Sequence, residues 1–296
     1  MSFPARSRTA VPVLILAAAA WGVGTVVSKR AVTEIPPLTL LPIQLAASVL
    51  ALATLMRRSG LPLRDPSMPG GLGRLGLLNP GLAYALSLIG LAHITASVSV
   101  LIWAIEPILI LVLAAWVLGE RMGPRYIALS AAAIAGVLIV IHAPASTGSL
   151  FGVAVTVGGV LSCAIYTVVA RRWLASVSST APVVIAQQAY ALAFATVLFV
   201  ASLLAGTPAW RGDVTLIGWA SAVGSGVLYY GLAYWFYLSG LRRVRASTAA
   251  TAFYLIPIFG IGGGFMLLGE RFGAFQWFGA AIAVVAVLIL LRQPEG

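Results

Sequence analysis

GLAYALSLIGLAHITASVSVLIWAIEPILILVLAAWVLGER, residues 81–121, returns without a gap as GLAYWFYLSGLRRVRASTAATAFYLIPIFGIGGGFMLLGER, residues 231–271. Gly81–Tyr84 is repeated as Gly231–Tyr234, Gly90-Leu91 as Gly240-Leu241, and Ala96-Ser97 as Ala246-Ser247. Pro107-Ile108 is repeated as Pro257-Ile258, and Leu118–Arg121 as Leu268–Arg271. About 15 of roughly 41 aligned positions are identical, and shared Gly, Pro, Glu and Arg are not what an Ala- and Leu-rich composition produces by chance. Upstream, at a shorter offset, Thr25–Arg30 reads against Thr167–Arg172, and Ala53-Thr54 against Ala195-Thr196. A duplicated apolar bundle is the signature of a transporter whose site lies between its halves.

Composition narrows the class. The 296 residues are 61% hydrophobic and 8% charged, where a soluble domain carries roughly 25% charged residues. Too little charge is present to cover a water-exposed surface, so the chain reads as an integral membrane protein. The net charge of +11 fits basic loops that set topology better than a nucleic-acid partner, and none is expected. The single cysteine, Cys163, has no intrachain disulfide partner, and the few Cys and His make no metal cluster. No cofactor is implied.

A helix crosses the hydrocarbon in about 20 apolar residues. That rule gives spans near 10–29, 38–56, 75–92, 97–118, 124–142, 150–170, 181–204, 214–239, 247–268 and 273–291. The segment 11–27 has the small residues of a cleavage site at Ala17–Ala20, but it belongs to the repeat and is expected to stay as the first helix. With the N-terminus in the cytoplasm, the inside segments hold Arg6, Arg8, Arg57, Arg58, Arg64, Arg74, Arg121, Arg125, Arg171, Arg172, Arg242, Arg243, Arg245 and Arg292. The outside holds Lys29, Arg30, Arg211 and Arg271. This asymmetry places both termini inside. The expected fold is all-α, ten transmembrane helices in two halves, 1–148 and 149–296. Each half has an odd helix count, so the two run in opposite directions as an inverted repeat suited to alternating access.

Gly90–Ser97, Glu106-Pro107 and Leu118–Arg121, with Gly240–Ser247, Pro257 and Leu268–Arg271, resemble the repeat of the EamA family in the drug/metabolite transporter superfamily. The resemblance covers nearly the whole chain. It implies ten helices in two inverted five-helix repeats. It also implies a bacterial inner-membrane location and export of amino acids, other small metabolites or toxic compounds. Length, short tails and aromatic-rich spans make the chain similar to YddG-type amino-acid exporters. Many members carry a basic residue in the second helix, where this chain has Gln44. That departure points away from acidic or phosphorylated cargo. By the family's architecture, helices 1–4 and 6–9 surround the central cavity.

Candidate cargo contacts follow from that placement. Glu106 is the one acidic residue near the middle of a span, and its repeat mate is Ile256, so the fold does not require it. It reads as a contact for a substrate ammonium, as a proton site, or as a protonated carboxyl bonded to a neighbouring helix. Trp21, Tyr84, Trp103, Tyr166, Tyr229, Tyr230, Tyr234 and Tyr254 fall inside spans. Such rings offer apolar area with a polar edge, suited to amphipathic cargo, and are equally at home in helix packing. Trp103 and Glu106 are three residues apart and share a helix face. Pro80, Pro107 and Pro257 read as hinges beside the cargo or as static kinks. Glu120-Arg121 and Glu270-Arg271 read as ordering the tight turns into the helices that follow them. Gln44, Gln187 and Gln188 read as interhelical glue or cavity lining. There is no G-x-S-x-G, no phosphate loop and no H-E-x-x-H, and His93 and His142 stand at distant helix ends. An enzyme is not expected. The reading is a carrier of small neutral metabolites, amino acids first, with a multidrug or nucleoside exporter and a facilitator or uptake carrier as alternatives.

Overall fold

The computed structural model describes residues 10–66, 68–106, 108–110, 112–113, 124–142, 149–174, 177, 180–210, 212–241 and 255–291. All regular elements among them are helices. They are α1 (Ala10–Val32), α2 (Pro37–Arg58), α3 (Gly70 to His93), α4 (Ala96–Trp103), α5 (Pro124–His142), α6 (Leu150–Leu174) and α7 (Thr180–Leu204). Then come α8, in three consecutive pieces (Leu216–Ser225, Gly226–Leu232, Ala233–Leu241), α9 (Ile256–Leu267) and α10 (Ala274–Leu291). α1, α2, α3, α6, α7 and α8 each contain a stretch long and apolar enough to cross a membrane, and α4, α5, α9 and α10 are shorter apolar helices. Parts of the expected spans 97–118 and 247–268 lie outside the described residues.

Burial has the sense of a lipid-solvated bundle. Leu204 and Met266 are 85% and 86% exposed, while Gln44, Ser48, Ser97, Thr156 and Ser225 are fully buried. With no water in the hydrocarbon, polar side chains turn inward to bond one another and aliphatic ones face outward.

Contacts between the helices come in reciprocal pairs. Gly76 of α3 lies against the backbone of Gln187 in α7, where an added Cβ would fall 2.0 Å from a carbonyl oxygen. Its repeat mate, Gly226 of α8, lies against Gln44 of α2, where a Cβ would meet the carbonyl oxygen at 2.5 Å. Gly136 of α5 meets Ala283 of α10, and the mates Ala133 and Ala286 are buried together in one cluster. Gly159 of α6 packs on Ala83 of α3, while Ala17 of α1 and Ala233 of α8 are buried together. Small residues at these points let backbones approach closely, which is how helices associate where lipid is as apolar as they are.

Both middle helices are distorted at matching heights. α3 carries a π-helical stretch at Leu78–Leu82, with Asn79 out of helical geometry at φ −142° and ψ 120°, and α8 carries one at Gly226–Leu232. Pro80 sits in the first, as expected of a kink site. The second has Tyr230 where the first has its proline, so α8 takes up the π-helical stretch without one. Pro257 stands in the first turn of α9, where a proline costs no hydrogen bond, rather than in mid-helix. Pro107 lies outside the described residues, and a proline inside α2, Pro42, was missed. α3 also starts at Gly70, earlier than the expected residue 75. Leu72 is buried there and its carbonyl accepts from the Gln187 amide at 3.0 Å, which holds a glycine-rich turn in helix.

Candidate functional site

The centre of the bundle is aromatic. Tyr84 of α3 is 4% exposed, and its hydroxyl lies 2.8 Å from the hydroxyl of Tyr234 in α8. Tyr84 is edge-on to Tyr229 and Tyr230, with centroids 5.2 and 5.0 Å away, and tilted against Trp103 at 5.7 Å. Trp21 of α1 meets Tyr234 edge-on at 5.4 Å and Tyr237 at 5.6 Å. Edge-to-face packing sets ring hydrogens against π faces and fixes the cluster's geometry. Six of the expected rings, Trp21, Tyr84, Trp103, Tyr229, Tyr230 and Tyr234, therefore meet. Tyr166 stands apart on α6, donating to Gln187 at 2.8 Å and packing beside Leu72, Ala170 and Val183. Tyr254 lies outside the described residues.

A cavity of about 20 Å³ opens beside Tyr84, among Thr25, Ser28, Ser87, Ser99, Trp103 and Tyr229. That is room for one water, not for a metabolite. Among the described residues no Asp, Glu, Lys or Arg lines it. The Trp103 indole donates to Ser87 Oγ at 3.1 Å. Tyr229 was grouped with the in-span rings, but the four hydroxyl residues were missed. Their spacing carried the signal: Trp21, Thr25 and Ser28 share one face of α1, and Tyr84 and Ser87 one face of α3.

Glu106 does not line this cavity. It follows α4, and its carboxyl faces the Cys163 thiol of α6 closely enough for the two to interact. Cys163 is buried, and the Thr167 hydroxyl donates to its carbonyl at 3.0 Å. The pair thus stands between α4 and α6, within electrostatic reach of Tyr229 and Tyr237.

The three glutamines are glue. Gln44 donates to Ser28 Oγ at 3.0 Å and to Ser225 Oγ at 2.7 Å, tying α1, α2 and α8 together. Gln188 donates to the Tyr230 carbonyl at 2.8 Å and accepts from Ser48. Every one of these bonds replaces water that lipid cannot supply. Gln44 also supports Ser28 and Tyr230, so it shapes the cavity wall from behind.

One end of the bundle is tied by charged groups. The Lys29 ammonium donates to the Leu91 carbonyl at 2.7 Å, joining the ends of α1 and α3. Glu34 pairs with Arg30 and accepts from the Thr215 backbone N–H at 2.9 Å, at the start of α8. The Thr215 N–H, its hydroxyl and Arg30 hold the Glu34 carboxyl below the usual carboxylate range. α3 therefore ends where α8 begins, so these two repeat mates run in opposite directions. At the same end Glu270 reaches α4, where its carboxylate accepts from the backbone N–H groups of Ala96 and Ser97 at 2.7 and 2.9 Å and from the Ser97 hydroxyl. This corrects the expectation that the Glu270-Arg271 pair serves its own turn: Arg271 does, donating to Phe265 and Glu270 carbonyls, but the carboxylate crosses to another helix. Glu120 and Arg121 lie outside the described residues. A vestibule of about 530 Å³ sits at this end, lined by Lys29, Thr33, His93, Thr95, Ser149 and Glu270 among others.

Comparison with known proteins agrees with this architecture. A transporter of Archaeoglobus fulgidus of uncharacterized function is 22% identical over 281 residues, covering 95% of this chain and 98% of its own. The permease-like protein YdzE of Bacillus subtilis is 29% identical over 70 residues, 24% of this chain and 90% of that one. A crystal structure at 16% identity superposes with a TM-score of 0.71, covering 99% of both chains, and shares the fold. The sequence profile of the EamA-like transporter family matches twice, at residues 8–142 and again at 150–292. With that match over nearly its whole length, the chain belongs to the EamA-like transporter family.

Proposed function

We propose that this transporter exports small neutral metabolites, amino acids foremost and aromatic or hydrophobic ones included, across a bacterial inner membrane. It does so by alternating access between two inverted five-helix halves, 1–148 and 149–296, with both termini in the cytoplasm. The observation that carries the cargo class is the central cavity, walled by rings and hydroxyls, with no formally charged side chain among the described residues that line it. Rings take an apolar side chain, and hydroxyls take the polar ends of a small molecule without selecting for net charge. Glu106 adds a carboxyl outside the cavity wall but within electrostatic reach of Tyr229, as an anchor for the cargo ammonium or as a proton site.

The small volume of the cavity supports a moving carrier rather than an open pore. An amino acid fits only when the rings around Tyr84 separate, and the reciprocal helix contacts give two like ways of separating them.

The test is uptake by purified protein in liposomes, offered labelled amino acids, nucleosides and a cationic dye, with and without a pH gradient. Saturable amino-acid uptake is expected, and its response to the gradient separates a proton role for Glu106 from a cargo role. Movement of dye or nucleoside without amino acids would give the fold a different cargo.

A further inference from the structure

Leu268-Gly269-Glu270-Arg271 has a division of labour that the helix geometry makes plain. Gly269 adopts φ +67°, a left-handed turn that a side chain would strain. The amides of Leu268 and Glu270 both donate to the Gly264 carbonyl, at 3.1 and 3.0 Å. The chain thus folds back on the end of α9 and aims the Glu270 side chain at the start of α4. There the carboxylate meets two backbone N–H groups and the Ser97 hydroxyl. Those first amides of a helix have no partners inside it, and they carry the positive end of its dipole. The Thr95 hydroxyl accepts from Val98, one amide further along, so the two caps divide the donors between them. Gly264 leaves the space: a Cβ there would fall 2.6 Å from the Glu270 carboxylate and 2.7 Å from the Ser97 hydroxyl.

We infer that Glu270 is a latch that holds the two halves together at one end of the transport path and must let go of α4 for that end to open. This rests on the alternating-access reading above. α4 carries Ser99 and Trp103 into the central cavity, and Glu270 itself lines the vestibule at this end. A contact between Glu270 and the start of α4 therefore joins the vestibule wall to a helix that lines the cavity. Its strength comes from charge-assisted hydrogen bonds to one helix end, so it is either fully made or fully broken, as a two-state element requires. Both sides of it are written into the repeat, as Ala96-Ser97 and as Leu268–Arg271; the mates, Glu120 and Ala246-Ser247, lie outside the described residues.

The experiment uses the full-length protein in oriented membrane vesicles. Cys163→Ala removes the native thiol, and Ser99→Cys reports on the central cavity. A charged, membrane-impermeant thiol reagent is applied from each side in turn, with no cargo needed, so the result stands whether or not amino acids are the cargo. Glu270→Ala should raise the labelling rate from the Glu270 end at least about tenfold and leave the rate from the other end unchanged or lower, because it removes three bonds made only in the closed state. Ser97→Ala removes one hydroxyl and spares both N–H bonds, and should raise the rate by about two- to threefold. Gly264→Ala, which crowds the carboxylate, should act in the same direction. Ser97→Ala also keeps the test decisive if Glu270→Ala does not accumulate. Unchanged rates, or equal increases from both ends, would overturn the latch.

Discussion

Tyr84 and Tyr234 hold the same place in the two copies of the repeat, 150 residues apart, and their hydroxyls lie 2.8 Å from one another. Two residues exchanged by a two-fold axis can touch only if they flank that axis closely. On the proposed inverted relation, this pair marks the point about which the halves are related, and the central cavity opens beside it. Tyr84→Phe or Tyr234→Phe should each lower stability by about 1–3 kcal/mol, because either leaves a buried phenol without its partner. The double substitution should cost less than the sum of the two. Thermal unfolding of the purified single and double variants checks this, and strict additivity would contradict a direct bond.

The glycines at the reciprocal crossings should be unequal to other glycines. Gly76→Ala and Gly226→Ala each drive a methyl into backbone, at 2.0 and 2.5 Å. They should cost at least about 1–3 kcal/mol and reduce the yield of folded protein. Gly224, with open space where its Cβ would point, should accept alanine and gain up to about 1 kcal/mol in helix propensity. Fluorescence-detected size exclusion across the three variants reads the difference.

Glu106→Gln should fold normally and transport poorly. The repeat mate Ile256 shows that this place in the fold does not need a carboxyl, and a glutamine amide can still bond the Cys163 thiol. Transport should fall by at least about tenfold if the carboxyl anchors an ammonium or carries a proton. Wild-type rates from a well-folded variant would remove Glu106 from the mechanism.

Glu34 gives a pH signature. Its carboxyl is held below the usual value of 4.5 by bonds to Thr215 and Arg30, so its stabilising contribution is complete above that pH and is lost as pH falls through the lower folded value. Glu34→Gln should therefore melt below wild type at pH 7, and the gap should close as pH drops beneath 4.5. A gap that widened in acid would reverse the assignment.

Orientation is tested by cysteines at two exposed loops in the Cys163→Ala background. Ser59→Cys, after α2, should label only from the cytoplasmic side, and Thr207→Cys, after α7, only from outside. The positive-inside distribution demands this pattern, and the opposite pattern would invert the topology.

Much of the architecture was legible in the chain. Gly, Pro, Glu and Arg recur at fixed spacing, and composition leaves no solvent but lipid for the rest. Which residues touch was less legible. Tyr84 and Tyr234 were recognisable as mates, yet nothing in a one-dimensional alignment says that mates meet. Ser28, Ser87 and Ser99 were missed because hydroxyls are common in apolar helices, where they bond their own backbone as Thr25 does to the Trp21 carbonyl. The reach of Glu270 was hidden by the 173 residues separating it from Ser97. The π-helical stretch of α8 had no proline to announce it.

The claim that this protein is an amino-acid carrier is tested most directly by counterflow. Liposomes holding the purified protein are loaded with an unlabelled neutral amino acid, diluted, and offered the same amino acid in labelled form at trace level. A carrier that alternates around one site should accumulate label transiently above its equilibrium level before it decays. Label that only equilibrates without an overshoot, or that fails to enter while a nucleoside or cationic dye does, would contradict the account.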